Sequence, residues 1–191
     1  MRFALEILLA VIVAVVAGLG STYLAVGEGW LFRTYRAGEW TAWPEGGSTA
    51  PDPYARALIA RTAQVPLGAG EGIAFFATRD SNGQPIRGGC EYLLSGETPP
   101  ARLWTLGVVD AKGDPPAHRS GRTFFTSREV LRRPDGHIEV ALSPQARPGN
   151  WLPLPDSGAL TLILRLYDSP AAIPATAGQI EMPRVLPRGC R

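Results

Sequence analysis

The residues of this chain best suited to chemistry are two cysteines, two histidines and a scatter of carboxylates. His118 lies in the polar run Pro115-Pro116-Ala117-His118-Arg119, and His137 follows the turn pair Asp135-Gly136. A Ser-His-Asp site would have to use one of them, and both read most simply as solvent-exposed loop histidines. No Gly-x-Ser-x-Gly nucleophile elbow is present. Gly68-Ala69-Gly70-Glu71-Gly72 runs into a strand pattern rather than a helix and lacks a lysine, so it is a turn before it is a phosphate cradle. Asp110 and Asp114 share one turn, where Asp bonds its own backbone; a glycosidase pair needs carboxylates opposed across a cleft. The sequence therefore offers no catalytic residue and implies no cofactor.

Cys90 and Cys190 are the two cysteines, far apart in the chain. Two Cys and two His without a close-spaced pair make a poor metal signature, and without Cys-x-x-Cys a redox-active pair is disfavoured. In the cytoplasm these would be buried thiols; outside it, an even number favours a disulfide. Such a bridge closes a loop of about a hundred residues, and chain entropy sets its contribution at roughly 4–5 kcal/mol at most.

Residues able to anchor a ligand are Trp104, Asn150, Trp151, Arg165 and Tyr167. Trp, Tyr and Arg dominate binding hot spots, and a carbohydrate or other envelope ligand fits such a set. The plainer alternative has Asn150 satisfying loop backbone groups, Trp151 plugging the end of a β-sandwich, and Arg165 supported by an acidic neighbour.

The elements that must hold these residues follow from patterning. Residues 27–51 form a juxtamembrane connector in which Trp30, Phe32, Tyr35, Trp40 and Trp43 alternate with charges, suited to contact with a membrane surface or with the domain. Asp52-Pro53 opens a short helix, with Asp as N-cap, Pro at the first helical position, and Tyr54, Ala57, Leu58 and Ala60 as its apolar stripe. The period then changes. Strands are predicted over Gly72–Thr78, Ile86–Leu94 (returning after the hairpin turn Asp80-Ser81-Asn82-Gly83), Leu103–Val109, Ile138–Leu142, Leu160–Tyr167 and Ile180–Val185. Thr123–Val130 fits a strand or a short helix. The 22 Gly and 18 Pro lack a period and punctuate short apolar runs, as many turns and many strands require. The expected fold is mainly β: an antiparallel sandwich or jelly-roll-like domain over residues 52–191 with one short helix before it.

The N-terminus is different. From Leu5 to Val26 the one charge is Glu6. Twenty-two helical residues span roughly 33 Å, close to the thickness of a bilayer's hydrocarbon core. Residues 1–26 are expected to be a transmembrane anchor, with residues 5–26 in the lipid bilayer. Val15 and Ala17 would also fit a signal-peptide cleavage site before Gly18, but the apolar run continues past it, which favours a retained helix. Flanking charges nearly tie: Arg2 and the amine on one side, Arg33 and Arg36 on the other. The short Arg-bearing tail places the N-terminus in the cytoplasm and the domain in the periplasm. Ala10, Ala14 and Gly18 recur every four residues, a stripe along which two such helices could form a homodimer. Net charge is only +2, so no nucleic-acid partner is expected.

Three stretches taken together resemble a bacterial family of unknown function, DUF1214. They are Ala101-Arg102-Leu103-Trp104-Thr105-Leu106 with Asp110-Ala111-Lys112-Gly113, then Pro148-Gly149-Asn150-Trp151-Leu152-Pro153, then Leu164-Arg165-Leu166-Tyr167-Asp168. The resemblance covers about residues 70–187. Members include large exported two-domain proteins in which this module is the C-terminal β-sandwich, and this chain resembles a short branch carrying an anchor and the one module. The resemblance implies an all-β, jelly-roll-like fold and no established chemistry. The expected function is that of a membrane-anchored periplasmic structural or binding module, leaning away from an enzyme. The alternative is an envelope hydrolase acting on glycan or another envelope substrate.

Overall fold

A computed structural model describes residues 2–28, 35–49, 51, 53–62, 66–118, 120–172 and 180–190. Trp30, Phe32, Arg33 and Asp52, weighed above, lie outside the described residues.

Among the described residues, one long helix, α1 (Arg2–Glu28), precedes ten strands, one short α-helix and two single-turn 3-10 helices. Residues Arg2–Leu24 have a mean hydropathy of 2.6, and none of this segment is buried against the rest of the protein. Apolar side chains project on all sides, as on a helix that meets lipid rather than a protein core. Its serine and threonine hydroxyls are satisfied within the helix: Ser21 Oγ and Thr22 Oγ1 both donate to the Gly18 carbonyl, at 3.0 and 2.8 Å. The helix is long and apolar enough to cross a membrane, a test that a signal sequence also passes.

The β structure forms two sheets. The first has six strands in the order β1 (Tyr35–Ala37), β2 (Trp40–Ala42), β3 (Gly72–Ala77), β9 (Leu160–Tyr167), β5 (Leu103–Asp110) and β6 (Phe124–Thr126). The second has four: β10 (Arg184–Cys190), β4 (Cys90–Gly96), β7 (Ile138–Ser143) and β8 (Trp151–Pro153). Neither closes into a barrel. Inward residues of both sheets, among them Phe75, Leu106 and Leu164 from the first and Leu94, Val140 and Leu142 from the second, join one buried cluster. Alternation explains this: β5 and β7 send every second side chain inward, as a half-buried strand must. The fold is thus mainly β, as the turn-rich patterning predicts. One pair departs from the antiparallel rule, because β7 and β8 run parallel.

Two elements differ from the sequence expectations for identifiable reasons. First, β1 and β2 fall within the segment expected to be a connector. They form a hairpin through the turn Gly38-Glu39, with Gly38 at φ 59°, the conformation a two-residue loop demands of its first position. The hairpin joins β3, and Trp40 is wholly buried. Tyr35 meets Phe75 edge-on at 6.2 Å and Trp43 meets Phe76 at 5.2 Å, so these connector aromatics contact the domain.

Second, β3 and β4 are not hairpin partners. The turn after β3 forms as expected, and Arg79 bridges Pro85. The chain then bends at Gly88-Gly89, where added Cβ atoms would meet the backbone of Ser157 and Asp156, and continues as β4 in the other sheet. The apolar run Ile86–Leu94 therefore spans a corner between sheets, and the strand itself starts only at Cys90. The short helix α2 (Pro53–Thr62) and the β6 strand form where the sequence places them, and the last strand begins at Arg184 rather than Ile180.

Candidate functional site

The five candidate anchors separate into two places. Arg165 and Tyr167 lie on β9, paired with Thr105 and Leu103 of β5 and with Ala74 and Gly72 of β3. Both are half-buried on the outer face of the six-stranded sheet. Trp104 sits between Leu103 and Thr105 on β5, so its side chain points the other way, into the core, where it is 2% exposed. Arg165 has no ion-pair partner among the described residues, so the expected acidic neighbour is not found there. The nearest acid in the motif, Asp168, instead pairs with Arg102 at 3.2 Å on the exposed rim.

Asn150 and Trp151 belong to the other sheet, at the start of β8. Their surroundings are built from the chain's own backbone. Asn150 Nδ2 donates to the carbonyls of Leu131 and Glu139, each at 2.8 Å, and its Oδ1 accepts the Leu131 amide at 2.7 Å. Trp151 Nε1 donates to the Ser143 carbonyl at 2.9 Å. This resolves a topological difficulty. Parallel neighbours usually need a crossover of a dozen or more residues, whereas β7 ends at Ser143 and β8 starts at Trp151. A return this short demands local side-chain ties, and Asn150 and Trp151 supply them. Gly149 at φ 79° turns the chain just before.

The histidines are similarly engaged. His118 Nδ1 accepts the Ser120 amide at 3.1 Å, its Nε2 lies 3.3 Å from the Pro144 carbonyl, and its ring stands edge-on to Trp151 at 5.6 Å. His137 Nε2 is 3.3 Å from Glu97 in a largely exposed pair. Two aspartates have parallel roles. Asp80 Oδ1 accepts the amides of Asn82 and Gln84, and Asp110 Oδ1 accepts those of Lys112 and Asp114. Each is an Asp-x-x-Gly turn in which the carboxylate replaces backbone partners. Among the described residues, no group of three or more His, Cys, Asp or Glu side chains gathers as metal ligands do.

The cysteines form a disulfide. Cys90 and Cys190 face each other in the register of β4 and β10, with Cα atoms 4.0 Å apart. The bridge closes 100 residues and fixes the last strand at the edge of the smaller sheet.

One cleft, of about 490 Å³, opens where that edge approaches the β1–β2 hairpin. Arg36, Glu39, Arg79, Asp80 and Arg184 supply its charged lining. Two ties hold its walls together: Trp40 Nε1 donates to the Pro183 carbonyl at 2.7 Å, and the Ser81 amide donates to the Val185 carbonyl at 2.9 Å. None of the five candidate anchors lines it. Its arginines lie in three distant parts of the sequence, and no local motif signals that they meet.

Residues 71–171, just over half of the chain, match the family described as "Protein of unknown function (DUF1214)". The chain belongs to this DUF1214 family. Its match runs from the start of β3 to the turn after β9 and so contains both strands that carry Arg165, Tyr167 and Trp104. Two of the three signature stretches quoted above also interlock: Arg102 donates its amide to the Tyr167 carbonyl at 3.1 Å, and Trp104 pairs with Leu166. Among solved structures, the VPA0106 protein from Vibrio parahaemolyticus is similar at 21% identity with a TM-score of 0.59, over 71% of this chain and 35% of that one. A putative uncharacterized protein from Burkholderia cenocepacia is 19% identical with a TM-score of 0.41, over 63% of this chain and 30% of that one. The first likeness shows a shared fold. This chain corresponds to about a third of the length of either protein. No curated protein matches the sequence.

Proposed function

We propose that this DUF1214 protein is a membrane-anchored, non-enzymatic module of the cell envelope. In this reading residues 1–26 are a retained single-pass anchor and residues 27–51 lead out of the bilayer. Residues 52–191, joined by the β1–β2 hairpin, form a β-sandwich-like domain on the periplasmic side of a bacterial inner membrane. The observation that carries it is the Cys90–Cys190 bridge on a chain that opens with a wholly exposed apolar helix. Disulfides persist in oxidising compartments, and apolar side chains exposed on every face call for lipid.

A structural or binding role, rather than hydrolysis, is supported by how the polar groups are spent. Asn150, Trp151, His118, Asp80 and Asp110 all bond the chain's own backbone. Arg165 and Tyr167 remain on an accessible sheet face and are the residues best placed to meet an envelope protein or glycan. The α1 stripe of Ala10, Ala14 and Gly18 is the surface for a homodimer in the bilayer.

Mild crosslinking in native membranes, followed by purification of the full chain, tests this reading. A defined protein or glycan lost on Arg165→Ala/Tyr167→Ala substitution supports it. Recovery of the chain in the soluble fraction after a salt wash, or of free thiols at both cysteines in the exported protein, contradicts it.

A further inference from the structure

The cleft beside the β1–β2 hairpin carries three arginines whose positive charge faces outward. Arg36 and Arg79 are exposed, and the Arg184 side chain is 65% exposed. The two acids in the lining face the protein. Asp80 is 5% exposed and its Oδ1 is taken by two turn amides. Glu39 is 11% exposed and lies 3.9 Å from Arg184 Nε. Arg79 uses one guanidinium nitrogen on the Gly83 carbonyl at 2.8 Å, which holds the group over the turn and leaves its other donors outward. Arg36 has no ion-pair partner among the described residues. The solvent-facing charge of the cleft is therefore cationic, supplied by planar donors that match a phosphate's oxygens.

The chain's connectivity adds a position to this chemistry. Arg36 lies eight positions after Glu28, the end of α1, with seven residues between them. Fully extended, eight such steps reach at most about 29 Å. The 27-residue helix is about 40 Å long, enough to carry its end through the hydrocarbon core and into the headgroup layer. With α1 as an anchor, Arg36 is thus tethered close to the headgroups, and Arg79 and Arg184 share its cleft.

We propose that the Arg36–Arg79–Arg184 cleft binds the phosphate of an anionic phospholipid headgroup, giving the domain a second, electrostatic contact with the membrane that anchors it. This rests on the anchor reading of α1. The contact fixes which part of the domain looks at the bilayer.

The test is native mass spectrometry of the full chain released from nanodiscs of mixed phosphatidylcholine and phosphatidylglycerol. The wild-type chain should retain phosphatidylglycerol in excess of its share of the disc, and each arginine removed should cut that preference about fivefold, the effect of one basic residue at an anionic surface. R36Q/R79Q/R184Q should show none of the excess, while R122Q/R128Q/R132Q, which removes equal charge on the β6 side, should keep it. An unchanged preference in the first variant, or an equal loss in the second, overturns the proposal. So does bound inorganic phosphate that displaces phosphatidylglycerol from the wild-type chain, since the cleft would then serve a soluble anion. A chain that never enters the discs overturns the anchor reading and this proposal with it. A chain that enters them without lipid preference overturns this proposal alone. A cooperative thermal transition with the wild-type midpoint confirms that each variant is folded.

Discussion

Asn150→Ala separates a structural role for the Asn150-Trp151 loop from a ligand-binding one. The substitution removes three hydrogen bonds, two to Leu131 and one to the Glu139 carbonyl. The Leu131 pair is near solvent, where water recovers much of the loss, so each of those bonds is worth about 0.5–1 kcal/mol. The Glu139 carbonyl is partly buried, and stranding it costs about 1–1.5 kcal/mol. The sum is about 2–3.5 kcal/mol. At roughly 3 °C per kcal/mol for a domain of this size, the melting midpoint should fall by about 6–10 °C. Asn150→Asp sharpens the case. It keeps the acceptor for the Leu131 amide but places a carboxylate oxygen against two carbonyls, so it should destabilise at least as much despite its nearly identical shape. Thermal and urea unfolding of the full, disulfide-intact chain in detergent reads both, with an unchanged m-value expected. Wild-type midpoints in both variants would falsify the structural assignment and return Asn150 to the list of ligand contacts.

Other perturbations follow from the same contacts. Cys90→Ser/Cys190→Ser should lower stability by up to about 4–5 kcal/mol in the chain-entropy account of a 100-residue loop, and hydrogen exchange should quicken first in β10; unaltered β10 protection contradicts this. Trp40→Phe leaves the Pro183 carbonyl without its donor and shrinks a wholly buried side chain, a cost of about 2–4 kcal/mol in urea unfolding. Gly72→Ala drives a Cβ into the Leu166 carbonyl oxygen where β3 meets β9, and should cost about 1–3 kcal/mol; a neutral result means the two strands can part there freely.

The strands that alternate cleanly were legible in the sequence. Leu160–Tyr167 alternates over eight residues and is β9 with the same bounds, because a central strand flanked on both sides keeps its full length. The β3–β4 corner was not legible. Asp80-Ser81-Asn82-Gly83 has the chemistry of a hairpin turn and makes one, but whether the returning chain stays in the same sheet depends on Gly88-Gly89 meeting residues 156–157, some seventy positions away. The parallel β8 was hidden for a similar reason: Pro148-Gly149-Asn150 reads as a loop, and the next three residues pair where Asn150 is tied to Leu131 and Glu139 and Trp151 to Ser143. The disulfide was predicted by counting cysteines, and the strand pairing supplied the geometry. Of the candidate anchors, Trp104 falls on the core side of β5, a placement that the alternation of that strand already contains. The arginine cleft had no local signal, since Arg36, Arg79 and Arg184 converge only through the approach of two sheet edges.

The central claim is that α1 holds a disulfide-closed domain on the non-cytoplasmic side of the membrane, and limited proteolysis of intact spheroplasts tests it most directly. Protease added outside should degrade the β domain in unbroken cells and leave a fragment beginning at residue 1 and ending near residue 28 in the salt-washed membrane. A domain protected until the cells are lysed, or a membrane fraction lacking that fragment, contradicts the account.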